Sequence, residues 1–470
     1  MPSRTCQLRI RGDAQSGDEL FEVKPEIDVT VRALAGSGSG IEPEVGSLIA
    51  GSKPYFIGQA GLPKAANLNK KRFSFEEIDS SGNPSKPSPL ASCHRALGAT
   101  FTNFAGCQMP LYYTSNIDEL QSMRKNVGLF DLSHKVLLGF QGNGAERFLD
   151  LVLTEYIPQL DTGGSCRACI LSPEGMIISD CILYRLASDY FIMELDPDNA
   201  QMAESWLRAV AAREVIIDLA RPGVEVDKSC SITNLKTCSD PLIVLALQGP
   251  KSTATIKSLL NANKSRYILN NLSKGQITEL SFAGFSGWIA HRGYTGERVG
   301  YEIFVPQSKA ESLWNALMNV GFDHSLAPIG LSAADSLRIE AGLPLYGKEL
   351  AGPYHISPME AGFGSCIKLH KPFFVGRQYM LFHSPSRKIV RLRAEIDAAN
   401  LTKLEPTIHN DSGKIIGVTT SIASTSEQYY GLGLLDEHAF DKEKVFLSCN
   451  GAPLIPAEVV FIPYAAVIDA

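Results

Sequence analysis

The sequence predicts an α+β fold that ends in a small antiparallel β-barrel or sandwich. Three observations carry this. Between residues 91 and 345, strand-like and helix-like periods are mixed, without the strict strand–helix–strand alternation of a parallel sheet. The same region has no glycine-rich phosphate loop. From about Phe373 onward, short apolar runs recur at regular spacing with turn residues between them. A chain of 470 residues is too long for one ordinary core. The expected division is an N-terminal extension over 1–90, partly disordered; two α+β subdomains over 91–370 with a break near 215–240; and a barrel domain over 371–470.

Composition narrows the function classes. The chain is 44% hydrophobic and 20% charged, with net charge −6 and mean hydropathy near zero. An acidic balance argues against nucleic-acid binding through bulk electrostatics. No apolar run reaches the roughly 18 residues that span a bilayer, so no membrane partner is expected. Arg4, Arg9 and Arg11 are followed at once by Asp13, Asp18 and Glu19, unlike a transit peptide. A reducing, cytoplasmic setting is expected for the ten scattered cysteines. Cys166 and Cys169 have CxxC spacing without a second pair, so structural thiols rather than a metal site are expected.

Taken in order, residues 35–40 (AGSGSG) read as a linker and 79–89 as a poorly ordered, turn-rich stretch, with strand-like pieces between 21 and 34. Residues 117–127 predict a helix, with Asn116 as its N-cap and Asp118 and Glu119 in the first turn. Strands are predicted at 136–140, 169–171, 176–186 and 191–194, and helices at 144–153 and 200–212. The second helix has Met202, Trp206 and Val210 on one stripe. The pattern then recurs: strands at 242–247, 277–282 and 287–291, and helices at 252–260, 308–320 and 332–341. The similar order over 100–210 and 240–345 implies two related halves. Six strands are predicted beyond, near 388–396, 407–408, 415–422, 429–435, 444–447 and 457–462.

The chemistry-bearing residues lie within these elements. Residues 291–306 join a glycine-punctuated turn to an alternating strand. Tyr301, Ile303 and Val305 share one face, so Glu302 faces the other, where an unpaired carboxylate is costly. Glu297 sits on the turn before it. Asp180 lies in a strand apolar on both sides, and such a carboxylate caps a turn, pairs with a cation or holds a ligand. Arg338 stands near a helix end before a Gly/Pro turn. There it either pairs with Asp335 one turn back or grips an anionic tail.

Several ordered motifs then resemble one family. They are residues 109–113 (MPLYY), 128–134 (GLFDLSH), 245–250 (LALQGP), 293–297 (GYTGE) with 300–302 (GYE), 337–347 (LRIEAGLPLYG), 360–364 (EAGFG) and 374–377 (FVGR). The chain resembles the T-protein (aminomethyltransferase) family of the glycine cleavage system from about residue 90 to 467. The resemblance implies a three-domain cloverleaf around a central channel for tetrahydrofolate, with a C-terminal barrel domain. It implies an enzyme that moves a one-carbon unit from a donor to tetrahydrofolate. Asp180 would lie near the folate nitrogens that take the carbon. Glu297 and Glu302 would face the pterin, Arg338 the folate tail, and Met109 and Tyr113 would complete the cofactor side. The donor would be a small molecule carrying a methyl or aminomethyl group, or a lipoyl carrier protein. The chain departs from the family pattern where Arg167 replaces a Tyr, Glu194 an Asn, Ser179 an Asp and Lys135 a Met, and where Ala334 stands in an Ala-Arg-Asp segment. Arg167 and Glu194 are therefore the substrate-side candidates. The alternatives are a tetrahydrofolate-dependent demethylase of an N-, O- or S-methyl compound, and a non-catalytic folate-binding or assembly protein.

Overall fold

The structure is a computed structural model. It describes residues 6–10, 19–23, 32–33, 70–75 and 85–460, apart from 227, 229, 261, 283, 294, 351–353, 355, 397–403, 425–428 and 450–453. The chain divides into two compact units, Met1–Lys64 and Ala65–Ala470. In the first, β1 (Cys6–Ile10), β2 (Glu19–Val23) and β3 (Arg32–Ala33) form an antiparallel sheet. The linker expected at 35–40 lies outside the described residues, as do residues 79–84.

The second unit begins with a correction. Residues 85–89, expected to be poorly ordered, are part of the fold. The edge strand β4 (Lys86–Pro87) runs parallel to β6 (Cys107–Tyr112), which pairs with β5 (Thr100–Phe104) on its other side. A proline is tolerated there because an edge strand has one unpaired side. Ser88 is buried and donates its hydroxyl hydrogen bond to Asp131. After α1 (Ala91–Ala96), helix α2 (Asn116–Lys125) is capped by Ser115 rather than Asn116. Ser115 has the extended backbone of a cap, and its Oγ accepts from the Asp118 amide at 3.2 Å. The Asn116 amide instead donates to Ser336 at 3.0 Å.

The first half then supplies β7 (Val127–Asp131), β8 (Val136–Gln141), α3 (Ala145–Val152), β9 (Ser165–Leu171), β10 (Ile177–Ala187), β11 (Tyr190–Leu195), α4 (Pro197–Ala211) and β12 (Ser231–Asn234). Five of these strands form an antiparallel sheet in the order β12-β8-β11-β10-β9. The stripe Met202, Trp206 and Val210 on α4 is buried. The second half supplies β13 (Leu242–Gln248), α5 (Ser252–Leu259), α6 (Asn263–Asn271), β14 (Ile277–Phe282), β15 (Phe285–Ala290), β16 (Gly300–Pro306), α7 (Gln307–Gly321), β17 (Leu326–Ile329) and α8 (Leu331–Ala341). Its sheet runs β14-β15-β16-β13-β7-β17. The strand β7 of the first half is thus inserted between β13, antiparallel to it, and β17, parallel to it.

The parity read from β16 holds. Tyr301, Ile303 and Val305 pack with Leu313 and Trp314 of α7 in one core. Phe304 packs the other way, into a core shared with Ile182, Tyr184 and Ile192 of the first sheet. The turn before β16 needs its glycines. Gly296 has φ +88°, and a Cβ on Gly300 would stand 2.8 Å from Gly293 Cα, so the hairpin closes on itself.

Lys371, fully buried, donates to the carbonyl oxygens of Leu153 at 2.8 Å and Glu155 at 2.6 Å, and to that of Asp150. It satisfies carbonyls at the end of α3, where the helix leaves them without partners. After α9 (Arg377–Phe382), β18 (Arg387–Ala394), β19 (Leu404–His409), β20 (Ile415–Ser424), β21 (Tyr429–Asp436), β22 (Lys444–Cys449) and β23 (Ile455–Val460) close a barrel in the order β18-β21-β20-β19-β22-β23. Every pairing in it is antiparallel. Closure leaves no free edge, and Leu392, Ile408, Val445 and Leu447 fill the inside. Among the described residues, no helix is long and apolar enough to cross a membrane.

Candidate functional site

Strand register assembles the site. Asp180, Ile182 and Tyr184 share one face of β10. On β9 they stand opposite Cys169, Arg167 and Ser165, and on β11 Glu194 stands opposite Ile182. Arg167, Ile182 and Glu194 therefore form a row across the sheet, with Asp180 and Tyr184 in the rows on either side. Glu302 of β16 faces them, between the small residues Ala246 and Ala290. These faces line a cavity of about 560 Å³ with His134, Lys135, Asp196 and Arg292, while α8 and the barrel residues Ile422 and Ala423 complete its wall. The volume lies within the range of small-molecule sites, about 300–1,000 Å³.

Burial and charge pairing set the protonation. Asp180 Oδ2 accepts from Arg167 Nη1 at 2.9 Å. Its Oδ1 is buried and has no hydrogen-bond partner among the described residues. Burial pushes the Asp180 carboxyl above the usual carboxylate range, against the pull of Arg167. Glu194 is pushed up to about 8 by burial and by the charge of Glu302, with Lys135 opposing. Lys135 lies 3.8 Å from Glu194 Oε1 but bonds directly to Asp196. Burial disfavours the lysine charge, yet Asp196 and Glu194 hold it above the ordinary lysine range. Glu194 Oε2 is left without a partner among the described residues. Glu302 is raised by burial, opposed by the hydrogen bond it accepts from the Tyr184 hydroxyl and by Arg292.

Of the residues singled out in the sequence, Asp180, Glu302, Arg167, Glu194 and Arg338 line this cavity. Arg338 does so with its guanidinium already engaged. It donates to Asp335 at 2.8 Å, to Glu349 at 2.8 Å and to Ser421 at 2.8 Å, and so ties α8 to the barrel. The helix pairing with Asp335 is formed. Glu297, Tyr113 and Met109 are not among the lining residues. Glu297 is half-buried on the hairpin turn, Met109 is fully buried, and the Tyr113 hydroxyl bonds His94 Nδ1 at 2.8 Å. The CxxC pair lies on β9, where Cys166 stands opposite Leu183 and Cys169 opposite Asp180. An odd spacing on a strand sends the two thiols to opposite faces.

Sequence reasoning missed Tyr184, Asp196 and Arg292. The signal for Tyr184 was its parity with Asp180, four residues on along one strand face. Asp196 is two residues beyond Glu194. Arg292 borders the glycine hairpin, where a turn cation reads as solvated surface.

Comparison with known proteins accords with this geometry. Residues 90–371 match the family of the GCVT N-terminal domain. The aminomethyltransferase of Halothermothrix orenii is 32% identical over 81% of this chain and 99% of its own length. That of Streptomyces avermitilis is 36% identical over 67% of this chain and 80% of its own. The crystal structure of the glycine cleavage system aminomethyltransferase T from Bartonella henselae superposes with TM-score 0.66 at 29% identity, covering 80% of this chain and 97% of that one. The fold is therefore the T-protein fold, with its C-terminal six-stranded barrel. With the family model matching more than half of its length, the chain belongs to the aminomethyltransferase family of the GCVT N-terminal domain.

Proposed function

We propose that this protein is a tetrahydrofolate-dependent one-carbon transferase, taking a methyl or aminomethyl unit from a small-molecule donor or a lipoyl carrier protein. One observation carries the reading: Asp180 is buried at the cavity wall, gripped through one oxygen by Arg167, with the other oxygen unpartnered among the described residues. A buried acceptor left unsatisfied is costly unless a ligand completes it. Asp180 Oδ1 and Glu194 Oε2 fit the donor-rich edge of a reduced pterin, and Glu302 faces the same space.

Tetrahydrofolate supplies the nitrogen nucleophile that accepts the carbon. Glu302, fixed by Tyr184, would accept N–H hydrogen bonds from the pterin edge. Asp180 would orient the reacting nitrogen, and its charge would stabilise positive charge developing on the donor. The two cavity walls come from different sheets, so water is displaced when both partners are seated.

The Asp180→Asn variant tests this. Transfer should fall on the order of 10²–10³-fold, the scale of removing one such electrostatic group, while calorimetry still records tetrahydrofolate binding. Unchanged turnover overturns the role. A second reading is demethylation of an N-, O- or S-methyl compound. It is favoured by Arg167, whose guanidinium in the cavity wall suits an acidic substrate. Whether the folate product is the 5,10-methylene or the 5-methyl form separates the two.

A further inference from the structure

Asp180 stands opposite Cys169 on β9, and Arg167, two residues back along β9, stands opposite Ile182. Arg167 and Asp180 are therefore diagonal neighbours on one sheet face, with backbones about 7–8 Å apart. A long side chain bridges that gap, and Arg167 Nη1 lies 2.9 Å from Asp180 Oδ2. The guanidinium in turn rests on Phe363, its Cζ 5.6 Å from the ring centroid, within cation–π range. Phe363 is fully buried and packs with Cys169, Leu171 and Ile177 of the same hairpin.

Phe363 belongs to neither sheet. It opens a short helical turn, Phe363–Cys366, on a segment that the barrel holds in place. The Glu360 carboxylate accepts from the amides of Ser357 at 2.8 Å and Arg387 at 3.0 Å, and the Glu360 carbonyl accepts from the Ile389 amide at 2.9 Å. Arg387 and Ile389 lie on β18. The barrel thus places the segment, the segment places the ring, the ring carries the guanidinium, and the guanidinium turns Asp180. Arg167 is also one of the positions at which the chain departs from the family pattern.

We infer that Arg167 and Phe363 are positioning residues for Asp180. Arg167 holds the carboxylate in one orientation, with Oδ1 left to the ligand, and Phe363 holds Arg167 on it. The role of Asp180 itself rests on the transferase reading. Arg167 is here assigned to Asp180, where the demethylase reading has it meet an acidic substrate. Burial raises the Asp180 carboxyl and Arg167 opposes the rise, so removing Arg167 should raise it further. The other charged or titratable groups facing Asp180 are His134 and Lys135 from the turn after β7, Glu194 and Asp196 where β11 ends, and Arg292 and Glu302 from the second sheet. Cys169 and Cys181 beside it are thiols that burial keeps protonated.

The full chain tests this in two ways. Without folate, aspartate labelled with carbon-13 at the side-chain carboxyl is titrated by NMR, and the Asp180 signal is assigned by its loss in Asp180→Asn. Arg167→Gln should move that titration up by about 1 pH unit or more. Phe363→Leu should move it the same way by less, and Arg167→Lys should return most of the shift. With tetrahydrofolate, turnover is read on S-aminomethyl-dihydrolipoamide and on methoxyacetate, one probe for each reading. Arg167→Gln should lower kcat by about 10-fold or more and leave KM within about 3-fold. Phe363→Leu should lower kcat by about 3-fold. The double variant should be no worse than Arg167→Gln, because Phe363 acts through Arg167. An Asp180 titration unmoved in Arg167→Gln overturns the inference. So does a raised KM for methoxyacetate at unchanged kcat, the mark of a substrate-binding arginine. Additive losses in the double variant, or a Phe363→Leu protein that loses only its denaturation midpoint, overturn the part given to Phe363. Failure of the parent to turn over either probe counts against the transferase reading alone, because the NMR titrations need neither folate nor donor.

Discussion

The hydroxyl of Tyr184, on the first sheet, donates to Glu302, on the second. The bond joins the two halves across their shared core and stands one row from the Arg167–Glu194 row. It holds a buried carboxylate in place on the wall opposite Asp180.

Tyr184→Phe removes that donor and keeps the ring, including its edge contact with Phe304. Glu302 is then buried without it, at a cost of about 1–3 kcal/mol. Urea denaturation should show the loss, and tetrahydrofolate affinity should fall with it. An unchanged midpoint would show that Glu302 draws its support elsewhere.

Arg338→Met should destabilise by about 3–5 kcal/mol, because it strands Glu349, which is 1% exposed. Replacing Arg338 and Glu349 together by methionine should recover most of that loss. Denaturation of both single variants and the double variant measures the coupling. If the pair instead served a ligand, Arg338→Met would leave stability intact and reduce binding.

Glu194 makes stability depend on pH. Its folded value, about 8, lies above its ordinary 4.5. The folded protein therefore holds a proton that the unfolded chain releases between roughly pH 4.5 and 8. Its contribution is full below the unfolded value and is lost as pH rises through that window, at up to about 1.4 kcal/mol per pH unit. Asp180 and Glu302 shift in the same direction and add to the slope. Lys135, Asp196, Arg167 and Arg292 are the other charged groups facing Glu194. Glu194→Gln should flatten the profile by one proton, read from denaturation midpoints between pH 5 and 9.

Lys371→Met keeps the apolar stem and deletes an ammonium that bonds three backbone carbonyls. A loss of about 3 kcal/mol is expected, with the cavity untouched because Lys371 is not among its lining residues. The check is denaturation alongside tetrahydrofolate titration.

Local pattern was the part of this protein most legible in its sequence. The two-residue alternation around Glu302 and the regular strands beyond Phe373 gave the correct faces and the barrel, since both depend on neighbours along the chain. The same alternation marked Asp180, whose carboxylate in an apolar strand had to be matched by something. What failed was non-local. The Asp196 partner of Lys135 and the His94 partner of Tyr113 are set by the fold, 61 and 19 residues away. Ser88 looked like loop until Asp131, 43 residues on, gave it a reason to be buried. At the start of α2, the Ser115 hydroxyl reached the Asp118 amide while Asn116 turned to Ser336 on another helix. Residue type alone does not decide between two adjacent capping residues.

The placement of β7 has a consequence for synthesis. Its neighbours are β13 and β17, so Val127–Asp131 pairs with residues near 245 and near 327. As the chain leaves the ribosome, this apolar strand waits through about two hundred residues of elongation for its second partner, since domains assemble from the N-terminal end. Among the described residues, the first half has no strand partner of its own for β7. Severed near residue 240, it would expose both edges of a strand that is apolar but for Asp131, and be prone to aggregate.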